Sequence, residues 1–188
     1  MKITILLFLL LGCSAAIGNV TYTTHDLRGN PIAVFTQVQG PGKFGLSWRD
    51  PSGTIWSSYQ GEYANNQIEP DQMLQNYYII IVDSPATEAC AKIGGILPTT
   101  QDYESLVSYF DVLYVNVKNL DGKPSLTDQG RKDLYAIFPD MISVGGATRW
   151  FWSASSAGNI YAQDFVGYGG DIYIDYRYRH DSVRCVAK

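Results

Sequence analysis

The sequence predicts an α+β domain, and three observations carry that prediction. The C-terminal run from Trp150 to Lys188 breaks into short strand-like segments separated by glycine-rich turns. The middle of the chain holds helical patterns with start and stop signals. The N-terminal third reads as further strands around a Pro-Gly turn. The chain has 188 residues and a formal charge of −4. That is one domain's worth of protein with room for a real core. No basic stripe is present, which argues against nucleic acid as a partner. There is no charge run, low-complexity tract or internal repeat. Tyrosine is frequent, with 14 in the chain, which suits a β-rich exported domain and also a surface that contacts something.

Residues 1–18 read as an export signal. Lys2 precedes an apolar run from Ile3 to Leu11, too short to span a bilayer. Leu10-Leu11-Gly12-Cys13 resembles a bacterial lipobox, which makes Cys13 the lipidated first residue of the mature chain and implies an outer-membrane anchor. Ordinary signal cleavage after Ala16 or Gly18, giving a periplasmic or secreted protein, is the competing route. On either route Cys90 and Cys185 remain, and exported chains tend to oxidise such a pair. Two buried free thiols are the alternative.

Residues 19–43 form a lead-in, read as a strand from Ile32 to Val38 or a tether. Phe44 to Arg49 and Thr54 to Tyr59 look like a hairpin around Asp50-Pro51-Ser52-Gly53. Asn76 to Val82 is an apolar run of buried-strand type. Ser84 caps a first helix, with Pro85 at its first position, Cys90 inside it and Gly94 as its stop. Thr99 and Asp102 form a capping-box pattern for a second helix, whose Tyr103, Leu106, Val107 and Phe110 recur at helical spacing. Val112 to Val117 fits a helix tail or a strand. Thr127 caps a short helix carrying Leu134, Ile137 and Phe138, ended by Pro139. The late strands are expected at Trp150 to Ala154, Ile160 to Val166, Asp171 to Tyr178 and Ser182 to Ala187. In the third of these, Ile172, Ile174, Tyr176 and Tyr178 alternate with Asp171, Tyr173, Asp175, Arg177 and Arg179, which predicts a sheet with one wet side.

The order of pieces resembles a known family. Asp50-Pro51-Ser52-Gly53-Thr54-Ile55-Trp56 is followed by Ala89-Cys90, then by Gly94-Gly95-Ile96-Leu97-Pro98-Thr99 and a helix. Phe138-Pro139, Phe151-Trp152-Ser153-Ala154-Ser155, Tyr161-Ala162-Gln163-Asp164-Phe165 and Val183-Arg184-Cys185-Val186 complete the series. This looks like the Lcl C-terminal domain family, bacterial domains placed with the C-type-lectin-like and formylglycine-generating-enzyme-like folds. The resemblance covers residues 44–188 and departs from the family at Ile96, where a basic residue is usual. It implies two helices packed on a twisted antiparallel sheet with long loops, domain termini that lie close together, and a structural bridge between the two cysteines. It also implies a cell-surface ligand-binding or adhesive module, in some members with affinity for sulfated polysaccharides. Fold analogy alone does not carry function.

Candidate chemistry is sparse. Glu69-Pro70-Asp71 is similar to a lectin calcium motif but lies before both helices, and no Trp-Asn-Asp accompanies it. Asp164, Asp171 and Asp175 could gather on the late sheet as a metal cluster, or pair with Arg177, Arg179 or Arg184 across strands. Neither a metal nor a cofactor is expected. The chain has two histidines, His25 and His180, and no H-E-x-x-H or G-x-S-x-G motif, so an enzyme is not expected. His180 reads as a solvated turn residue. A binding face is the better-supported chemistry. Tyr161, Tyr168, Tyr173, Tyr176 and Tyr178 offer rings for stacking on sugars, Arg177 and Arg179 offer forks for sulfate or carboxylate, and Tyr168, Tyr173, Arg177 and Arg179 are expected to line a shallow binding face. An ordinary exposed strand face with Asp–Arg pairs competes with that reading. The expected partners are a polysaccharide or a surface protein, and a membrane through the Cys13 anchor. A structural envelope lipoprotein with no small ligand is the second reading, and a divergent enzyme the third.

Overall fold

The computed structural model describes residues 18–40, 44–58, 64–65, 84–114, 124–141, 149–158 and 160–187. The chain begins with β1 (Thr21–His25), β2 (Pro31–Gln39), β3 (Leu46–Arg49), β4 (Ile55–Ser57) and β5 (Ala64–Asn65). Next come α1 (Pro85–Lys92), β6 (Gly95–Ile96), α2 (Thr100–Val107), β7 (Val112–Tyr114), β8 (Pro124–Leu126) and α3 (Asp128–Ile137). A 3-10 turn at Pro139–Met141 leads to β9 (Trp150–Ser156), β10 (Tyr161–Val166), β11 (Asp171–Tyr176), β12 (His180–Asp181) and β13 (Val186–Ala187). An antiparallel six-stranded sheet runs β1-β2-β3-β4-β13-β6, and a second of three strands runs β11-β10-β9. Two short ladders, β12 with β5 and β7 with β8, complete an α+β architecture.

The helices start where side chains replace missing backbone partners. Ser84 Oγ accepts from Thr87 N at 3.1 Å, and Pro85 opens the helix without needing a donor. Thr99 and Asp102 close a reciprocal box, with bonds of 3.2 and 2.7 Å. Thr127 Oγ1 accepts from Gly130 N at 3.0 Å and donates to Asp111 Oδ2 at 2.6 Å, so one hydroxyl caps α3 and ties it to the β7 segment. Helix α1 ends at Gly94, whose φ of +82° a side chain would resist. The β3–β4 turn is built by Asp50. Its Oδ1 accepts from Ser52 N and Thr54 N, and its Oδ2 accepts the indole N–H of buried Trp56 at 3.0 Å.

Two cores result. The larger joins Ala33, Phe35, Trp48 and Trp56 of the six-stranded sheet to Tyr103, Leu106 and Val107 of α2, Leu134 and Ile137 of α3, and Phe151 and Phe165 of the second sheet. Tyr103 stacks on Phe165 with centroids 4.5 Å apart. The smaller gathers Phe44, Ala86, Cys90 and Leu97 against Trp152, Ala162, Val183 and Cys185. Alternate residues of β9 and β10 therefore enter opposite cores, and much of the three-stranded sheet is buried on both faces. Cys90 and Cys185 are joined, Cα to Cα 5.4 Å, across 95 residues of chain. In the chain-entropy account, closing so long a loop removes about 4.7 kcal/mol of unfolded-state freedom.

Several expectations change. Residues 21–39 are two strands of the main sheet, with Phe35 in the larger core, because Ala33 and Phe35 alternate inward. The wet side of β11 is not the expected one in its second half. Ile172 is buried opposite Phe165, but Ile174 is 62% exposed and Tyr176 is also exposed, while the Asp175 carboxylate turns inward. The hairpin runs past the end of the larger core, so nothing among the described residues covers those side chains. Ser182 to Ala187 is not one strand: Ser182 makes an isolated parallel bridge to Phe151, and only Val186–Ala187 joins the main sheet. His180 lies in a two-residue strand paired with Asn65, not in a turn, and is exposed. The apolar run from Asn76 to Val82, Glu69-Pro70-Asp71 and Cys13 lie outside the described residues. No helix among the described residues is long and apolar enough to cross a membrane.

Candidate functional site

The β10–β11 hairpin organises the chemistry. Its register sets Ala162 opposite Asp175, Asp164 opposite Tyr173 and Tyr161 opposite Tyr176. Residues directly opposite share a face. Asp164, Tyr173 and Asp175 therefore share one face, which β9 extends with Trp152 opposite Asp164. Tyr161, Ile174 and Tyr176 occupy the other.

On the first face, Asp164 is 0% exposed. One carboxylate oxygen from each of Asp164, Asp175 and Asp181 lies within 4.8 Å of the other two. Asp181 enters from β12 and is 9% exposed. Arg179 donates to Asp175 Oδ2 at 2.5 Å. Among the described residues, neither oxygen of Asp164 has a hydrogen-bond partner, nor does Oδ2 of Asp181. Burial pushes the Asp164 carboxyl up to about 8, and the charges of Asp181 and Asp175 add to the effect. Asp181 is raised to about 6, again by burial first and by Asp175 second, with Arg179 opposing.

This triad differs from the anticipated one. Asp171 sits opposite Val166 at the turn end of the hairpin, four residues from Asp175, or about 13 Å along a strand. Burial raises its carboxyl, opposed by a hydrogen bond from Ser125 and by Arg131. Asp181 takes its place, because β12 brings the chain back across the far end. Arg184 does not reach this cluster. It is 0% exposed, pairs with Asp140, donates to Ser57 O at 2.6 Å and lies over the rings of Phe138 and Phe151.

On the opposite face the tyrosines form a row. Tyr161 and Tyr176 have centroids 4.7 Å apart, and Tyr176 stacks on Tyr178 at 5.1 Å. The hydrogen bond that the Tyr161 hydroxyl donates to Tyr176 is the leading cause of its raised pKa. Ile174 adjoins the row. This row emerges only when β10 and β11 are registered, since Tyr161 lies 15 residues before Tyr176. Of the residues singled out from the sequence, Arg177 and Arg179 follow β11 at this open end of the hairpin, with Arg179 turned to Asp175 of the acid face. Arg177 donates to Ser156 Oγ at 2.9 Å and to Gly158 O at 3.4 Å, and burial lowers its pKa. Tyr173 packs on Trp150 with centroids 5.3 Å apart. Tyr168 stands at the turn end, about 20 Å from the arginines along the strand, with the Arg131 guanidinium 4.8 Å from its ring centroid. Tyr168 thus lies at the opposite end of the hairpin from the two arginines, which bond to different partners.

Comparison of the chain with protein-family models, with curated proteins and with solved structures finds no match in any of the three.

Proposed function

We propose that the chain is an exported, lipid-anchored module of the cell-envelope surface, of C-type-lectin-like fold and without enzymatic activity, that binds a glycan at the open end of the β10–β11 hairpin. The observation that carries this reading is the row of half-buried Tyr161 and exposed Tyr176 and Tyr178 at the hairpin's open end, where Arg177 and Arg179 follow in the chain on the alternate positions. Tyrosine faces stack on sugar rings, and guanidinium forks pair with sulfate or carboxylate groups. Arg179 already shares its charge with Asp175, so Arg177 is the better-placed of the two to meet an acidic sugar. Export accords with the lipobox-like Cys13 and with oxidation of the remaining pair, Cys90 and Cys185. The family resemblance supports the fold and the surface location together.

The test is a glycan array probed with the wild type, with Arg177→Ala/Arg179→Ala and with Tyr176→Ala/Tyr178→Ala. The wild type should retain a sulfated or uronic-acid polysaccharide, and each double variant should lose at least about tenfold in affinity, equivalent to ~1.4 kcal/mol. A blank array, or variants that bind like the wild type, ends the glycan reading. A second reading, an envelope protein that docks another protein, is favoured by Ile174, 62% exposed beside the tyrosine row. Ile174→Asp separates them: it should abolish an apolar protein contact and leave sugar stacking largely intact.

A further inference from the structure

We propose that Asp164, Asp175 and Asp181 bind a hard divalent cation, calcium in the first place, at the junction of β10, β11 and β12. This does not rest on the glycan reading. Three independent features of the site lead to it. The first is geometry. Donor oxygens that all lie within 4.8 Å of one another can surround a single ion at calcium–oxygen distances of about 2.4 Å. The second is the state of the donors. Asp164 is fully buried with both carboxylate oxygens unpartnered among the described residues, and Asp181, nine-tenths buried, has one such oxygen. Buried acceptors without partners are costly, and buried charges are found paired or on metals. The third is charge. Three carboxylates and the Arg179 guanidinium sum to −2 when all are ionised, which a divalent cation balances.

The donor type selects the ion. All three ligands are oxygens, with no histidine or cysteine in the cluster among the described residues, which favours hard cations over zinc or copper. Calcium tolerates irregular carboxylate geometry, whereas magnesium demands a near-ideal octahedron and keeps its water. The ligands come from three consecutive strands, so a bound ion would staple the hairpin to the returning chain two residues after Arg179. Coordination positions beyond the three carboxylates would be taken by water or by oxygens of a bound ligand.

The experiment uses the purified protein stripped with a chelator. Calcium is titrated by calorimetry and by thermal unfolding, and terbium luminescence is read through Trp152, which lies directly opposite Asp164. One ion per chain is expected, with a Kd between about 10⁻⁵ and 10⁻³ M, a rise in Tm, and tryptophan-sensitised terbium emission that calcium quenches. Asp164→Asn and Asp181→Asn should each weaken binding at least about a hundredfold, and Asp171→Asn should leave it unchanged. Asp164→Asn removes a buried repulsion, so its chelator-stripped form should melt no lower than the wild type. Loss of the calcium response in a variant that remains this stable separates ligation from a folding defect. No heat, no Tm change and no emission overturn the site, as do Asp164→Asn and Asp181→Asn variants that bind like the wild type. A response to magnesium alone overturns the calcium assignment.

Discussion

Arg184 and Asp164 are both buried charged residues, and they are handled in opposite ways. Arg184 has a carboxylate in Asp140, a carbonyl in Ser57 and two aromatic faces around its guanidinium. Asp164 has two like-charged neighbours and no hydrogen-bond partner among the described residues. The first arrangement serves stability. Arg184→Ala leaves Ser57 O without this donor and removes the ion pair to Asp140, and should cost about 3 kcal/mol in urea unfolding. A cost below ~1 kcal/mol would mean that the site relaxes around the loss and that Arg184 is not a keystone of the core. Neither residue's role follows from its neighbours in sequence. Asp140 lies 44 positions from Arg184, and Asp181 joins Asp164 only because of a two-residue strand, too short to announce itself. By contrast, Ser84, Thr99 and Thr127 read correctly as caps, because a cap meets its partner within three residues.

At the scale of the element, the β10–β11 hairpin divides its two faces between two jobs. Its inner face places acids under cover, and its outer end presents tyrosines. The alternation in Asp171 to Arg179 correctly separates these two sets but not which of them faces solvent. That is decided by how far the larger core extends, and it stops near Ile172. The buried acids make a pH prediction for the metal-free protein. Asp164 holds a proton in the folded state up to about pH 8, whereas the unfolded chain releases it near the ordinary carboxylate value of 3.8. The folded state therefore binds more protons between those limits, and its stability falls as pH rises from about 4 to about 8. Asp175 and Asp181 strengthen the trend and Arg179 opposes it. Unfolding in chelator should show lower stability at pH 8 than at pH 5, and Asp164→Asn should flatten the slope. A wild type equally stable at both would place the Asp164 carboxyl at its ordinary value.

For the molecule as a whole, the residues that carry the family resemblance turn out to be occupied in building the fold. Leu97 is buried, Pro98 O accepts from Ala154 N at 2.7 Å, and Thr99 caps α2. Phe151 and Trp152 enter opposite cores, and Ser155 Oγ accepts from Thr100 N at 3.1 Å. Val183 and Cys185 close the smaller core, Val186 joins the main sheet, and Arg184 lies over Phe138 and Phe151 of the larger core. These motifs explain why the architecture was legible: each combines a local signal with a fixed packing role. The same reason explains why the ligand was not, since the packing of Tyr161 on Tyr176 and the entry of Asp181 into the acid triad depend on register and crossing rather than on motif. The disulfide is the main long-range tie between the early helix and the closing strand. Replacing both cysteines by serine should lower stability by ~2–5 kcal/mol, read as a shift in the denaturant midpoint. An unchanged midpoint would mean that packing around Ala86, Trp152 and Val183 holds α1 in place by itself.

The most direct measurement is retention on an immobilised sulfated polysaccharide, compared between the wild type and Arg177→Ala/Arg179→Ala at rising salt. The account predicts that the wild type is retained at physiological ionic strength and elutes as salt screens the arginines, while the variant passes through. A wild type that passes through, or a variant retained equally well, would contradict it.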